Sequence, residues 1–150
     1  MYLIDRTQDL PISLEEAWAF FSSPHNLAKI TPKNLGFTVL GEIPETMYEG
    51  LFIHYTVSPL AGIPMKWTTE ITHIRPMEYF VDEQRVGPYS IWHHEHFFES
   101  IPGGVRMRDR VHYQVPLGFL GRLVHPIIVR PRLEEIFSFR FKAAEELFGA

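Results

Sequence analysis

The 150 residues contain no cysteine, which excludes disulfides, thiolate metal sites and cysteine nucleophiles. An excess of basic charge is also missing. The formal net charge is −4, so the composition offers no general attraction for a phosphate backbone, and nucleic acid is not an expected partner. No run approaches the roughly 20 apolar residues of a membrane span, so stable membrane insertion is not expected either. The opening MYLIDRTQDL lacks the apolar core of a signal peptide; it alternates like a strand and carries Asp5 and Arg6, which leads us to expect a cytoplasmic protein. Internal repeats and low-complexity segments are absent too. What remains is a single domain over 1–150, long enough to bury about two-thirds of its unfolded surface. Apolar surface is abundant: 45% of residues are hydrophobic, and 12 phenylalanines bring aromatics to 14%, enough for a large interior or a ring-lined cavity.

Residues 2 to 9 alternate as a strand that Leu10-Pro11 ends. Ser13 with Glu16 forms a capping box, and Leu14, Ala17, Trp18 and Phe21 recur at helical spacing as far as Pro24. A second short helix follows over about 24 to 30, then strand-like runs at 36 to 42, 51 to 58, 65 to 74 and 78 to 85, with proline and glycine in the gaps. Pro126 and Pro131 break a mainly apolar segment before a long helix over about 131 to 148. On that helix Leu133, Ile136, Phe137, Arg140, Phe141, Ala144, Leu147 and Phe148 share a face, and Phe139 lies off it, so burial on more than one side is expected. The order predicts an α+β fold: a curved antiparallel β-sheet of about seven strands wrapped around a long C-terminal helix, with two short helices after the first strand.

Chemistry concentrates in GPYSIWHHEHFFESIPGGVRMRDRVHYQVP, residues 87 to 116. A hairpin closing at Ile101-Pro102-Gly103-Gly104 sets Ser100 opposite Val105, which pairs Glu99 with Arg106 and Glu95 with Arg110 on one face. On the other face Phe98 meets Met107, His96 meets Asp109, His94 meets Val111 and Trp92 meets Tyr113. Cross-strand ion pairs contribute roughly 0.2–1 kcal/mol each, so the two of them favour this register. One face then becomes a charge ladder, the other a pocket wall, apolar at its ends and ionisable in its middle.

These segments resemble the SRPBCC superfamily of helix-grip proteins over essentially the whole chain. The resemblance is carried by Glu16-Ala17-Trp18-Ala19-Phe20-Phe21 with Ser23-Pro24-His25-Asn26-Leu27 and Thr31-Pro32, by Gly87-Pro88-Tyr89, and by Trp92-x-His94-x-His96-x-Phe98-Glu99. It continues through Met107-x-Asp109-x-Val111-x-Tyr113-x-x-Pro116, Gly118-x-Leu120-Gly121 and Ile136-Phe137-x-Phe139-Arg140. Among its branches the chain looks most like bacterial polyketide cyclase/dehydrase-like and ligand-binding members. The resemblance implies an elongated cavity between sheet and terminal helix that holds a hydrophobic small molecule; it implies no common reaction. The histidine-rich stretch is also similar to the first motif of cupins, but the second cupin motif is missing and the long terminal helix argues against that fold.

Several readings of the pocket wall compete. Binding or transport of a lipid-like or aromatic molecule would use Trp92, Phe98, Met107, Val111 and Tyr113 against Phe137 and Phe141, with His94, His96, Asp109 or Arg140 engaging one polar group. A cyclase or dehydratase would use His96 as general acid or base, oriented by Asp109. His94, His96 and Asp109 also suit a zinc or iron(II) ion, but a His–Asp hydrogen bond fixing one tautomer explains them as well, and no metal or cofactor is expected. A partner-binding regulator would use the outer face alone. The apolar run from Leu117 to Val129, flanked by Arg122, Arg130 and Arg132, could form a lid, touch a membrane surface or serve as a packed connector. Its prolines argue against a continuous amphipathic helix. By analogy with the fold, Ser58 to Pro64 faces it across the cavity mouth.

Overall fold

The computed structural model describes residues 1–58 and 63–149, so most of the loop expected at the cavity mouth lies outside the described residues. Strand β1 (Tyr2–Leu10) leads into helix α1 (Leu14–Phe21), where the Ser13 hydroxyl accepts the Glu16 amide at 3.1 Å. Such a cap is worth about 1 kcal/mol. Two 3-10 helices, Pro24–Ile30 and Lys33–Leu35, then carry the chain to the far edge of the sheet. There follow β2 (Thr38–Leu40), β3 (Phe52–Val57), β4 (Met65–Arg75), β5 (Tyr79–Val86), β6 (Ile91–Ile101) and β7 (Gly104–Gln114). All neighbours pair antiparallel in the order β1-β7-β6-β5-β4-β3-β2, and two irregularities in the β4–β5 pairing bend the sheet there. The run expected over 36 to 42 contributes only the three residues of β2.

The hairpin register is the one its turn and charges predict, from Trp92 opposite Tyr113 to Ser100 opposite Val105. Gly103 takes φ 82° in the turn, and Gly104 must lack a side chain because a Cβ would collide with the Leu10 carbonyl. On the outer face Arg110 grips Glu95 through two bonds of 2.8 and 3.0 Å. Arg106 turns instead to β1, binding Asp9 at 2.9 and 3.1 Å, and Arg108 binds Asp5 beside it. The ladder therefore spans three strands, which sequence pairing of the hairpin alone did not anticipate.

The C-terminal segment corrects the expected break. Helix α2 (Gly118–Val124) runs through a π-helical segment (His125–Val129) into α3 (Arg130–Phe148) without interruption. Pro126 and Pro131 each follow a junction between helix types, and the amide just before Pro131, that of Arg130, closes the wider π turn on the His125 carbonyl, so the helix passes both prolines by changing its winding. The segment is pinned to the sheet by His125, whose Nε2 is hydrogen-bonded to the Tyr113 hydroxyl at 2.7 Å and whose ring stacks on Tyr2 with centroids 3.5 Å apart. Among the described residues no helix is long and apolar enough to cross a membrane.

Helix α3 lies across the inner face of the sheet and separates two apolar clusters. Trp67, Trp92, Val111, Tyr113, Leu133 and Phe137 belong to one; Leu10, Ala17, Phe21, Phe98, Met107 and Ala144 to the other. Contrary to burial on several sides, Phe139 and Phe141 are 39% and 38% exposed. At about 100° per residue, Phe141 falls roughly 80° from Leu133, at the margin of the buried stripe.

Candidate ligand-binding cavity

Between sheet and α3 lies a cavity with about 160 Å³ of room for the centres of water-sized spheres. At roughly 10–15 Å³ per water this is space for on the order of ten waters, a ligand of one or two rings. Its walls come from α1 and the first 3-10 helix (Phe20, Leu27, Ile30), from β3 to β6 (Tyr55, Trp67, Thr69, Phe80, Asp82, Trp92, His94, His96) and from α3 (Leu133, Ile136, Phe137, Arg140). Polar atoms on the β4 side are satisfied internally: Trp67 donates to the Thr69 hydroxyl at 3.0 Å, and Tyr55 shares that hydroxyl at 3.1 Å.

The ionisable middle of the wall is a four-membered box with a cation beside it. Residues two apart on β6 point the same way, so the rings of His94 and His96 stack with centroids 3.6 Å apart at 24°, and Phe80 covers the far side of His96 at 4.0 Å. Asp82 stands opposite on β5 and accepts His96 Nε2–H at 2.6 Å. Asp109, on β7, accepts His94 Nε2–H at 2.8 Å and lies 3.6 Å from the Arg140 guanidinium. The hydrogen bond expected from His96 to Asp109 goes to Asp82 instead. Asp109 remains 3.4 Å from His96 Nδ1, which has no hydrogen-bond partner despite burial.

Burial opposes ionisation of both carboxylates, yet both stay below the usual carboxylate range: Arg140 and His94 hold Asp109 down, and His94 with His96 hold down Asp82. Burial first, and His94 second, push His96 down to about 4 against the pull of Asp82. At neutral pH His96 is therefore an uncharged ring that donates through Nε2 to Asp82, with its Nδ1 buried on the Asp109 side. Asp82 and Asp109 face Arg140 and the two histidines, and Asp82 presents a carboxylate acceptor in the cavity wall to a hydrogen-bond donor.

Asp82, His94 and His96 also offer ligand atoms within 4.8 Å of one another, as a metal site would require. Their arrangement fits a metal poorly. Lone pairs of two nearly parallel, stacked rings do not converge on one point, and coordination would need one ring to swing out of the stack.

Of the residues singled out in sequence, Trp92, His94, His96, Phe137 and Arg140 line the cavity. Asp109 stands behind the histidines and reaches the site through them and Arg140. Phe98, Met107, Val111 and Tyr113 face the same way but are consumed by the two cores. Phe141 points away, its carbonyl taken by Gln8 at 2.9 Å. Asp82 was missed, although its signal was there: it follows buried Phe80 by two residues on one strand and so shares its inward face.

The sequence matches no family model and no curated protein. Solved structures resemble it closely in shape. Protein CV1439 from Chromobacterium violaceum aligns over 100% of this chain and 99% of its own with a TM-score of 0.75 at 12% identity. Protein Ms6760 from Mycobacterium smegmatis covers 97% of this chain and 89% of its own, with a TM-score of 0.69 at 15% identity. Ara h 8.0201 aligns over 97% and 98% at a TM-score of 0.59 and 14% identity. The fold is therefore the helix grip, as the sheet order and long terminal helix already indicated.

Proposed function

We propose that the protein binds a small hydrophobic molecule of one or two aromatic rings, anchored by a hydroxyl or amine donated to the His–Asp box. The observation that carries this reading is an apolar, ring-lined cavity with one polar corner, where the Asp82 carboxylate, the two histidines and Arg140 line the wall. A carboxylate ligand would meet the Asp82 carboxylate in the wall, where a hydroxyl or amine would donate to it. Trp67 and Trp92 in the wall provide an intrinsic reporter. Titration with 2-naphthol and with 2-naphthoate, followed by tryptophan fluorescence, is expected to give binding of the alcohol and at least about ten-fold weaker binding of the acid. Leu27→Trp, which fills the cavity from a half-buried position, is expected to abolish the response. Equal binding of the two compounds overturns the assignment of the polar end. No binding of either, together with a native mass spectrum free of any organic adduct, overturns the carrier reading.

One observation supports a second reading, the cyclase or dehydratase chemistry of the branch the sequence resembles. An imidazole unprotonated at neutral pH and oriented by Asp82 is a general base. In that reading the His96 ring turns to bring Nδ1 to the cavity and takes a proton from a carbon next to a ligand carbonyl, which becomes an enolate, and Asp82 rather than Asp109 orients the ring. Turnover of a small aromatic polyketide lost in both His96→Gln and Asp82→Asn, with binding retained, would distinguish enzyme from carrier.

A further inference from the structure

Among the described residues, the α2 turn and the π segment present an apolar ridge without a partner. Gly121, His125 and Val129 form the buried side, while outward Phe119, Leu123 and Ile127 are 63%, 62% and 75% exposed. Leu117, just before α2, is 76% exposed and held at φ 69°, a conformation unusual for a residue with its side chain. Apolar side chains of this size gathered on one surface are not a neutral feature of a monomer. They cannot fold inward, because His125 between them is fastened to Tyr113 and Tyr2.

Charge identifies the partner. In a chain of net charge −4, the 24 residues from Arg110 to Leu133 contain no aspartate or glutamate, and exposed Arg122 stands beside the ridge while Arg130 turns to the Tyr113 hydroxyl. We propose that this ridge docks on the surface of an anionic phospholipid bilayer, with Phe119, Leu123 and Ile127 entering the acyl boundary and Arg122 meeting headgroup phosphates. A bilayer accepts a convex ridge without a complementary shape. A second copy across a two-fold axis would bring the arginines of both copies together with no carboxylate in the segment to offset them. The docking does not depend on what the cavity holds, so it stands or falls separately from the binding reading.

Flotation of the full chain with vesicles of phosphatidylcholine containing phosphatidylglycerol tests it, against phosphatidylcholine alone. Wild-type protein is expected to float with the anionic vesicles. Leu123→Asp with Ile127→Asp is expected to lower partitioning by about ten-fold or more, and Arg122→Glu by about five-fold on anionic vesicles only. Both positions are exposed, and an unchanged melting temperature verifies folding. No flotation with anionic vesicles, or flotation that the double variant retains, overturns the proposal. A dimer detected by light scattering that the double variant dissolves, without vesicle binding, would assign the ridge to a second copy and overturn it equally.

Discussion

Strands β6 and β7 carry ion pairs on both faces, one residue apart in sequence and opposite in consequence. Outside, Arg108 and Asp5 meet at 2.6 Å with side chains 43% and 34% exposed. Inside, His94, His96 and Asp109 meet Asp82 and Arg140 at similar distances, with side chains only 7 to 20% exposed. Distance alone does not distinguish them; desolvation does. The outer pairs can be lost to solvent at little cost, and their role is to choose the strand register. The inner groups exist only as a set, because each buried charge needs the others.

The comparison can be broken most severely at Asp109. Asp109→Ala leaves Arg140 and His94 without their carboxylate and is expected to destabilise the fold by about 3 kcal/mol, read as a lowered urea midpoint. Acid tests the same set without mutation. Between the folded-state value of about 4 for His96 and an unfolded value near 6.5, the unfolded chain binds more protons, so stability falls as pH drops through that window, on the order of 3 kcal/mol in full. Below it the depressed carboxylates add further loss in the same direction. Urea titrations at pH 7 and pH 4.5 measure this, and an unchanged midpoint would contradict the buried, neutral state of His96. The smallest effect is outside: a double-mutant cycle of Glu95→Ala and Arg110→Ala is expected to give a coupling below about 1 kcal/mol that shrinks in 1 M salt.

How much of this was legible follows from what each residue depends on. The hairpin register was readable because a glycine turn and matched charges are local information, and it brought His94, His96 and Asp109 to one face. Arg106 was assigned to Glu99 because nothing local announces that β1, nearly a hundred residues earlier, supplies Asp9. Asp82 is hidden for the same reason: its role comes from β5 pairing with β6, and no motif surrounds it. Phe98, Met107, Val111 and Tyr113 were placed on the right face, but whether an inward ring lines a cavity or fills a core depends on helix α3 across from it. The prolines misled because their cost depends on the local helix type, and a π turn is not visible as a periodicity.

That π turn also sets the rotational phase of everything after it. Gly121, His125, Val129, Leu133 and Phe137 are buried at a constant spacing of four, whereas an ideal α-helix would rotate such a series steadily away from the sheet. A turn closed one residue later absorbs part of that rotation, so α3 arrives with Phe137 and Arg140 aimed at the cavity. Closing that turn one residue earlier, as α, with every residue kept would advance the whole of α3 by about one residue's rotation, roughly 100°, taking Arg140 away from Asp109. The segment works as a spacer in a gear train: it touches no ligand, yet it decides which tooth of the helix engages.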